Sequence, residues 1–135
     1  MRQLVLDASA VMAFFEDCPG AEKVEELIVR ALEGKHELLM TAVDWGKVYY
    51  SILCTRGEDA AEEILAEVAQ LPIEIVGSDV ELSKLAAEFR AQHKLPYADC
   101  FAAALARQRR ATLATADGDF AAANKQVTVL WVRER

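Results

Sequence analysis

The run Leu4-Val5-Leu6, closed by Asp7 and followed by the small residues Ala8, Ser9 and Ala10, constrains the fold more than any other stretch. A run so short and so apolar suits the central strand of a parallel sheet, covered on both faces. Asp7 then sits just past the carboxyl end of that strand, the edge where open α/β sheets bind ligands. A carboxylate there calls for positive charge above it, or else it caps the helix that follows, which aspartate does well. Asp7 alone favours the cap.

The rest of the chain repeats the strand-then-helix pattern. Val11 to Glu16 reads as a short helix that stops near Cys18-Pro19-Gly20. Val24, Leu27, Ile28 and Leu32 make a helical stripe over Ala21 to Leu32, with Gly34 as its stop. Leu38 to Met40 is a second strand, and Thr41 caps a helix that runs to about Thr55, ended by Gly57. A helix over Asp59 to Ala69 stops before Pro72, and Ile73 to Val76 is a third strand. Ser78 or Asp79 caps a helix reaching about His93, with Leu82, Leu85, Ala86 and Phe89 on one face. Tyr97 to Arg109 is an alanine-rich helix, Thr112 to Thr115 a fourth strand, and Val127 to Val132 a fifth, with a short helical turn between the last two. Strands alternating with helices predict a parallel sheet with helices on both faces, in one domain over residues 1–135.

The net charge of −7 argues against attraction of nucleic acid over the whole surface. RNA binding would need local basic patches or a bound cation; the plainer reading of the charge is solubility. No apolar run is long enough to cross a bilayer, and no basic region precedes a long apolar stretch, so a cytoplasmic protein is expected. Cys18, Cys54 and Cys100 are odd in number and scattered, which fits reduced thiols in a core better than a disulfide frame or a zinc site.

Four regions deliver acids to the carboxyl edge of such a sheet. Asp7 follows strand one; Asp44 lies in the first turn after strand two; Asp99 lies in the first turn of the alanine-rich helix; Asp117 and Asp119 follow strand four. Singly, each has a structural role as a helix cap, first-turn acid or turn residue. Together they crowd one edge, and clustered carboxylates need a divalent cation or a lysine. An all-oxygen set suits Mg²⁺ or Mn²⁺, which can position phosphate and activate water for phosphodiester cleavage.

Four segments, LVLDASAVMAFF, TAVDWGKVYYSIL, LPYADCFAAALA and TLATADGDF, resemble in order and spacing the PIN-domain proteins of the toxin type, the VapC-like ribonucleases. The resemblance covers nearly the whole chain. It implies a three-layer α/β/α sandwich around a central parallel sheet. It implies an Mg²⁺-dependent endoribonuclease acting on RNA, a homodimer, and an antitoxin whose tail fills the cleft. By position, Asp7, Asp99 and Asp117 match the family's catalytic, metal-holding aspartates, and Asp119 matches an acid often present two residues later. Ser9 and Thr115 match hydroxyl positions suited to contact a phosphate or a water.

One position departs. Where the family has a glutamate in a segment resembling GEVYY, this chain has Gly46-Lys47-Val48-Tyr49-Tyr50. Asp44, one turn earlier, can substitute as a ligand. Lys47 can act as an internal cation that neutralises the cluster and leaves the domain weakly active or inactive. Its stem can also bend outward and leave three aspartates to hold one metal. Asp44 rescue stands behind the other two. Lysine also binds phosphate as a point charge, which keeps cleavage open. The competing functions are therefore a metal-dependent ribonuclease and a catalytically weak binding module on the same fold. A phospho-acceptor receiver domain is excluded because strand three ends in Gly77-Ser78, with no aspartate to phosphorylate.

Arg107, Arg109 and Arg110 are expected to complement the end of the alanine-rich helix. Trp45, Tyr49 and Tyr50 are expected in core or dimer packing, and Trp131 in the core. The apolar stripe from Val43 to Leu53 offers a dimer or antitoxin surface.

Overall fold

The N-terminal apolar run forms strand β1 (Gln3–Leu6), and helix α1 (Ala8–Phe15) starts directly after Asp7. The expected start at Val11 was late, because Asp7 itself is the cap: its carboxylate accepts the Ala10 N–H. The computed structural model describes residues 2–133. Helix α2 (Ala21–Leu32) leads to strand β2 (Glu37–Thr41), then to helices α3 (Ala42–Arg56) and α4 (Glu58–Ala69) and strand β3 (Ile73–Val76). Helices α5 (Val80–Gln92) and α6 (Tyr97–Arg109) precede strand β4 (Thr112–Thr115), a 3₁₀ turn (Gly118–Ala123) and strand β5 (Val129–Trp131).

The five strands form one sheet in the order β3-β2-β1-β4-β5, with every neighbouring pair parallel. The chain leaves β1 for β2 and β3 on one side, then crosses back to β4 and β5 on the other. The carboxyl ends of β1 and β4 therefore flank the point where strand order reverses, the usual ligand crevice of an open α/β sheet.

Strand alternation sends side chains to two opposite layers. Val5, Leu39 and Leu113 join the cluster with α5, α6 and Phe120 of the turn. Leu4, Leu6, Leu38, Met40 and Ala114 join the cluster with α1, α2, α3 and α4. The architecture is the three-layer α/β/α sandwich expected from the sequence. Helix α6 is buried at every residue from 99 to 106. Its alanines let sheet and α5 close on it from both sides, and this carries Asp99 into the interior.

Several expectations need correction. Strand β5 is shorter than expected because Val127 belongs to the end of the turn, where its N–H donates to the Ala123 carbonyl and its side chain is buried. Cys18 and Cys54 are exposed; only Cys100 is in the core, so composition did not predict where thiols lie. Tyr50 is exposed, whereas Trp45 and Tyr49 stack on each other and pack partly against the core. Trp131 is half-buried against the α5–α6 layer. Gly20 adopts φ 104°, and a Cβ there would meet the Val132 carbonyl oxygen at 3.0 Å, so the chain's last described turn closes on α2 only over a glycine. Among the described residues no helix is long and apolar enough to cross a membrane.

Candidate functional site at the carboxyl edge of the sheet

Three carboxylates sink into the edge where β1, β2 and α6 meet. Asp7 and Asp99 are each 2% exposed and Asp44 is fully buried. The bonds around Asp7 follow from its place as a cap. Oδ1 accepts from the Ala10 N–H at 3.0 Å and from the Ser9 hydroxyl at 2.8 Å, and Oδ2 accepts from the Thr115 hydroxyl at 2.7 Å. Ser9 and Thr115 were expected to face a phosphate or water; both instead spend their protons on Asp7. They remain acceptors, Ser9 for the Ala116 N–H and Thr115 for the Asp117 N–H, so one network joins the ends of β1 and β4.

Asp44 is similarly occupied. Its oxygens accept from the Ala8 N–H at 3.0 Å and the Thr41 hydroxyl at 2.8 Å, while Thr41 in turn caps α3 through the Asp44 N–H. It clamps the start of α3 to the start of α1. Both oxygens are thus engaged in the fold, as those of Asp7 are, and Asp44 is the most deeply buried of the three.

Asp99 differs from these two. Helix α6 has no side-chain cap, so Asp99 serves no backbone group. Its Oδ1 accepts from the Lys47 ammonium at 3.0 Å, and its Oδ2 is buried without a partner among the described residues. Leaving a charged oxygen unpaired costs stability on the order of 1–3 kcal/mol or more. Lys47 is therefore turned inward onto the cluster, as in the internal-cation reading, although its side chain stays 47% exposed.

The electrostatics follow from this ledger of three buried carboxylates and one ammonium. Burial pushes Asp7 up to about 6, with the Asp99 charge adding to it against the bonds from Thr115, Ala10 and Ser9. Burial and the neighbouring Asp7 charge push Asp44 up to about 7, against its bonds from Thr41 and Ala8. Burial alone would lower Lys47, but the bond and charge of Asp99, with Asp44 and Asp7 behind them, raise it. In both carboxyls burial is the chief cause, and the neighbouring carboxylate charges add to it.

Because both carboxyls bind protons more tightly folded than unfolded, where the ordinary value is 3.8, folding takes up protons between about pH 4 and 7. Stability from these groups accordingly falls as pH rises through that window. Asp44→Asn keeps an acceptor and loses the charge. In chelator it should be more stable than the wild type by roughly 2 kcal/mol at pH 8, with the gap closing towards pH 4. Urea unfolding at the two pH values checks this; a wild type equally stable at pH 8 would contradict it.

Asp117 caps the 3₁₀ turn through the Asp119 N–H and is half-buried; Asp119 is exposed. Neither carboxylate joins the buried trio, and among the described residues no three Asp, Glu, His or Cys side chains are arranged to hold a metal ion. The donors still fit a hydrated Mg²⁺, which keeps several waters and needs only one or two carboxylates. The unpartnered Asp99 Oδ2, buried close to two other carboxylates, is such a donor.

One further cation escaped the sequence reading. Arg133 donates from Nε to the Ala116 carbonyl at 2.7 Å, which fixes it on a groove of about 360 Å³ shared with Ser9, Met12, Glu16 and Asp117. Its signal was its place just past the last strand, whose end lies on the same edge. Lys47 lines a second groove, of about 540 Å³, with Val43, Gly46, Tyr50, Ser51 and Ala98. The larger hollow of about 670 Å³ is lined by residues 17–23 with Val132 and Arg133; none of the site carboxylates lines it, so it is not the chemical centre. Arg107 bonds Gln126, and Arg110 ends α6 in the left-handed region, in keeping with a structural role at that helix end.

The PIN domain model matches residues 4–126 of the chain. No curated protein matches it by sequence. Among solved structures, the chain is similar to VapBC2 from Rickettsia felis bound to a promoter DNA fragment (TM-score 0.77, 13% identity, 95% of this chain and 97% of that one). It is also similar to FitAcB from Neisseria gonorrhoeae (0.73, 21%, 96% and 97%). A third is VapC20 of Mycobacterium tuberculosis, a toxin that cleaves the sarcin–ricin loop (0.66, 19%, 89% and 94%). At these identities the likeness is one of fold.

Proposed function

The chain belongs to the PIN-domain family, and on that premise we propose that it is the toxin of a toxin–antitoxin pair, an endoribonuclease that cuts RNA phosphodiester bonds with Mg²⁺ or Mn²⁺ at the Asp7–Asp99 cluster. The observation that carries the proposal is the buried, unpartnered Asp99 Oδ2 beside two further buried carboxylates and one ammonium. Asp99 and Asp7 would hold the cation, while Asp117 lines the groove beside Ser9 and Asp119 stands exposed two residues on. When bound, that cation supplies positive charge to the phosphate and activates water.

The remaining work falls to the chain's own side chains. Ser9, Thr115 and the Ala10 N–H hold Asp7 in one rotamer, so no reorganisation is needed when charge develops beside it. Lys47 borders one groove and Arg133 another, and in this reading each would supply positive charge to draw a phosphodiester to an otherwise acidic protein. An antitoxin partner is supported by the VapBC complexes among the similar structures. The exposed Tyr50 and Leu53 on α3 offer apolar surface for it or for a homodimer.

The Lys47–Asp99 pair at 3.0 Å favours a second reading, a binding module with little or no turnover. Labelled single-stranded RNA incubated with the purified protein separates the two. Cleavage with Mn²⁺ that stops in chelator supports the nuclease. RNA bound but intact under every metal would leave the binding module.

A further inference from the structure

Taking the cleft as a phosphodiester site, we infer that Lys47 is a migrating counter-ion. Its ammonium sits on Asp99 before substrate arrives, and transfers to a phosphodiester on binding. That transfer removes the competing positive charge beside Asp99, whose bare Oδ2 can then take the divalent cation.

Three features of the geometry carry this. First, the pair straddles the protein boundary: Asp99 is 2% exposed on its side chain, Lys47 47%. The carboxylate is fixed by the helix that bears it, whereas the ammonium ends a flexible four-carbon stem whose base lies at the surface. Second, the stem borders an open groove. Val43, Tyr50, Ser51 and Ala98 line it with Lys47, and a Cβ added at Gly46 would meet nothing within 4 Å. The groove is mostly apolar, and the half-exposed ammonium can leave Asp99 by swinging along its rim into solvent, where a phosphodiester would meet it. Third, Lys47 satisfies only one Asp99 oxygen and leaves Oδ2 bare in the interior. A single ammonium does not reach both oxygens, and a cation arriving at Oδ2 would pair the one left bare.

An ammonium and a divalent cation on one carboxylate repel each other. Metal binding should therefore be weak while Lys47 holds Asp99 and strong once a phosphate has drawn it away. The coupling is reciprocal: substrate tightens metal by the factor by which metal tightens substrate. A glutamate at this position would hold metal without substrate; a lysine makes the site load only when RNA is present.

Calorimetric titration of Mn²⁺, and binding of a single-stranded phosphorothioate oligonucleotide in chelator, test the inference with wild type and Lys47→Met. Met keeps the length of the stem and removes the charge. The expected result is opposite movement: Mn²⁺ affinity without oligonucleotide rises by about tenfold or more, and oligonucleotide affinity in chelator falls. Lys47→Arg should keep Mn²⁺ weak. Unchanged Mn²⁺ affinity within about twofold, or both affinities falling together as a merely structural lysine would give, overturns the role of Lys47. Lys47→Gln replaces the methionine variant if that protein does not fold. A wild type that binds neither Mn²⁺ with oligonucleotide nor oligonucleotide alone defeats the phosphodiester reading itself, and the migrating counter-ion with it. RNA cleavage with metal affinities insensitive to position 47 would sink only the latter.

Discussion

Asp7→Asn should abolish RNA cleavage, by about 10²–10⁴-fold, while leaving the fold as stable as the wild type or more so. The split follows from the contacts. Asparagine Oδ1 still accepts from the Ala10 N–H and the Ser9 hydroxyl, and its amide faces Thr115, whose oxygen can accept. The cap on α1 and the link from β1 to β4 therefore survive. What disappears is a buried negative charge whose carboxyl burial has pushed up to about 6. At neutral pH that charge costs folding energy, and a protein retains such a cost at a functional site. Cleavage assays and thermal melts on the same sample check both halves. A variant that still cuts RNA at more than about a tenth of the wild-type rate would remove Asp7 from the chemistry. A variant that melts well below wild type would make Asp7 chiefly a cap.

Phe120→Ala should be the most damaging single change to stability, at about 3–5 kcal/mol. Phe120 is fully buried and is the anchor of the 3₁₀ turn, in the same cluster as Val5, Leu113, Ala123 and Val127. The turn has few bonds of its own beyond its backbone and the Asp117 cap. In a chain of this length the loss corresponds to a fall in Tm of roughly 10–20 °C. Because Asp117 precedes that anchor, the groove wall it forms with Arg133 should loosen before the sheet does. Phe120→Leu, which retains most of the volume, should cost about 1–1.5 kcal/mol. A Phe120→Ala protein melting within about 3 °C of wild type would contradict the packing account.

The elements were legible where local chemistry punctuates them. β3, β4 and α6 run over the residues read from sequence, because apolar runs and breakers such as Pro72 and Pro96 bound them. Thr41 and Asp79 cap α3 and α5 for the reason their side chains suggest: a short oxygen reaches the N–H three residues on. The start of α1 was misplaced because one residue, Asp7, is both cap and site acid, and only its cap role sets a boundary. At the site, sequence could place acids on one edge but could not show which of them were already spoken for. The Asp44 bond to the Ala8 N–H joins residues far apart in the chain, and no local pattern reveals it. The same holds for the hydroxyls of Ser9 and Thr115, whose direction depends on how β1 and β4 align. That Lys47 meets Asp99 was readable as charge complementarity. That it leaves Oδ2 uncovered was not.

Anomalous scattering from crystals of the wild-type protein grown with Mn²⁺ and a phosphorothioate oligonucleotide measures whether this edge of the sheet is a cation site. The prediction is a manganese peak in contact with Asp99, on the side of Oδ2 and towards Asp7, with the Lys47 ammonium moved onto a phosphate. Oligonucleotide bound in the cleft with no manganese there, and Lys47 still on Asp99, would contradict it.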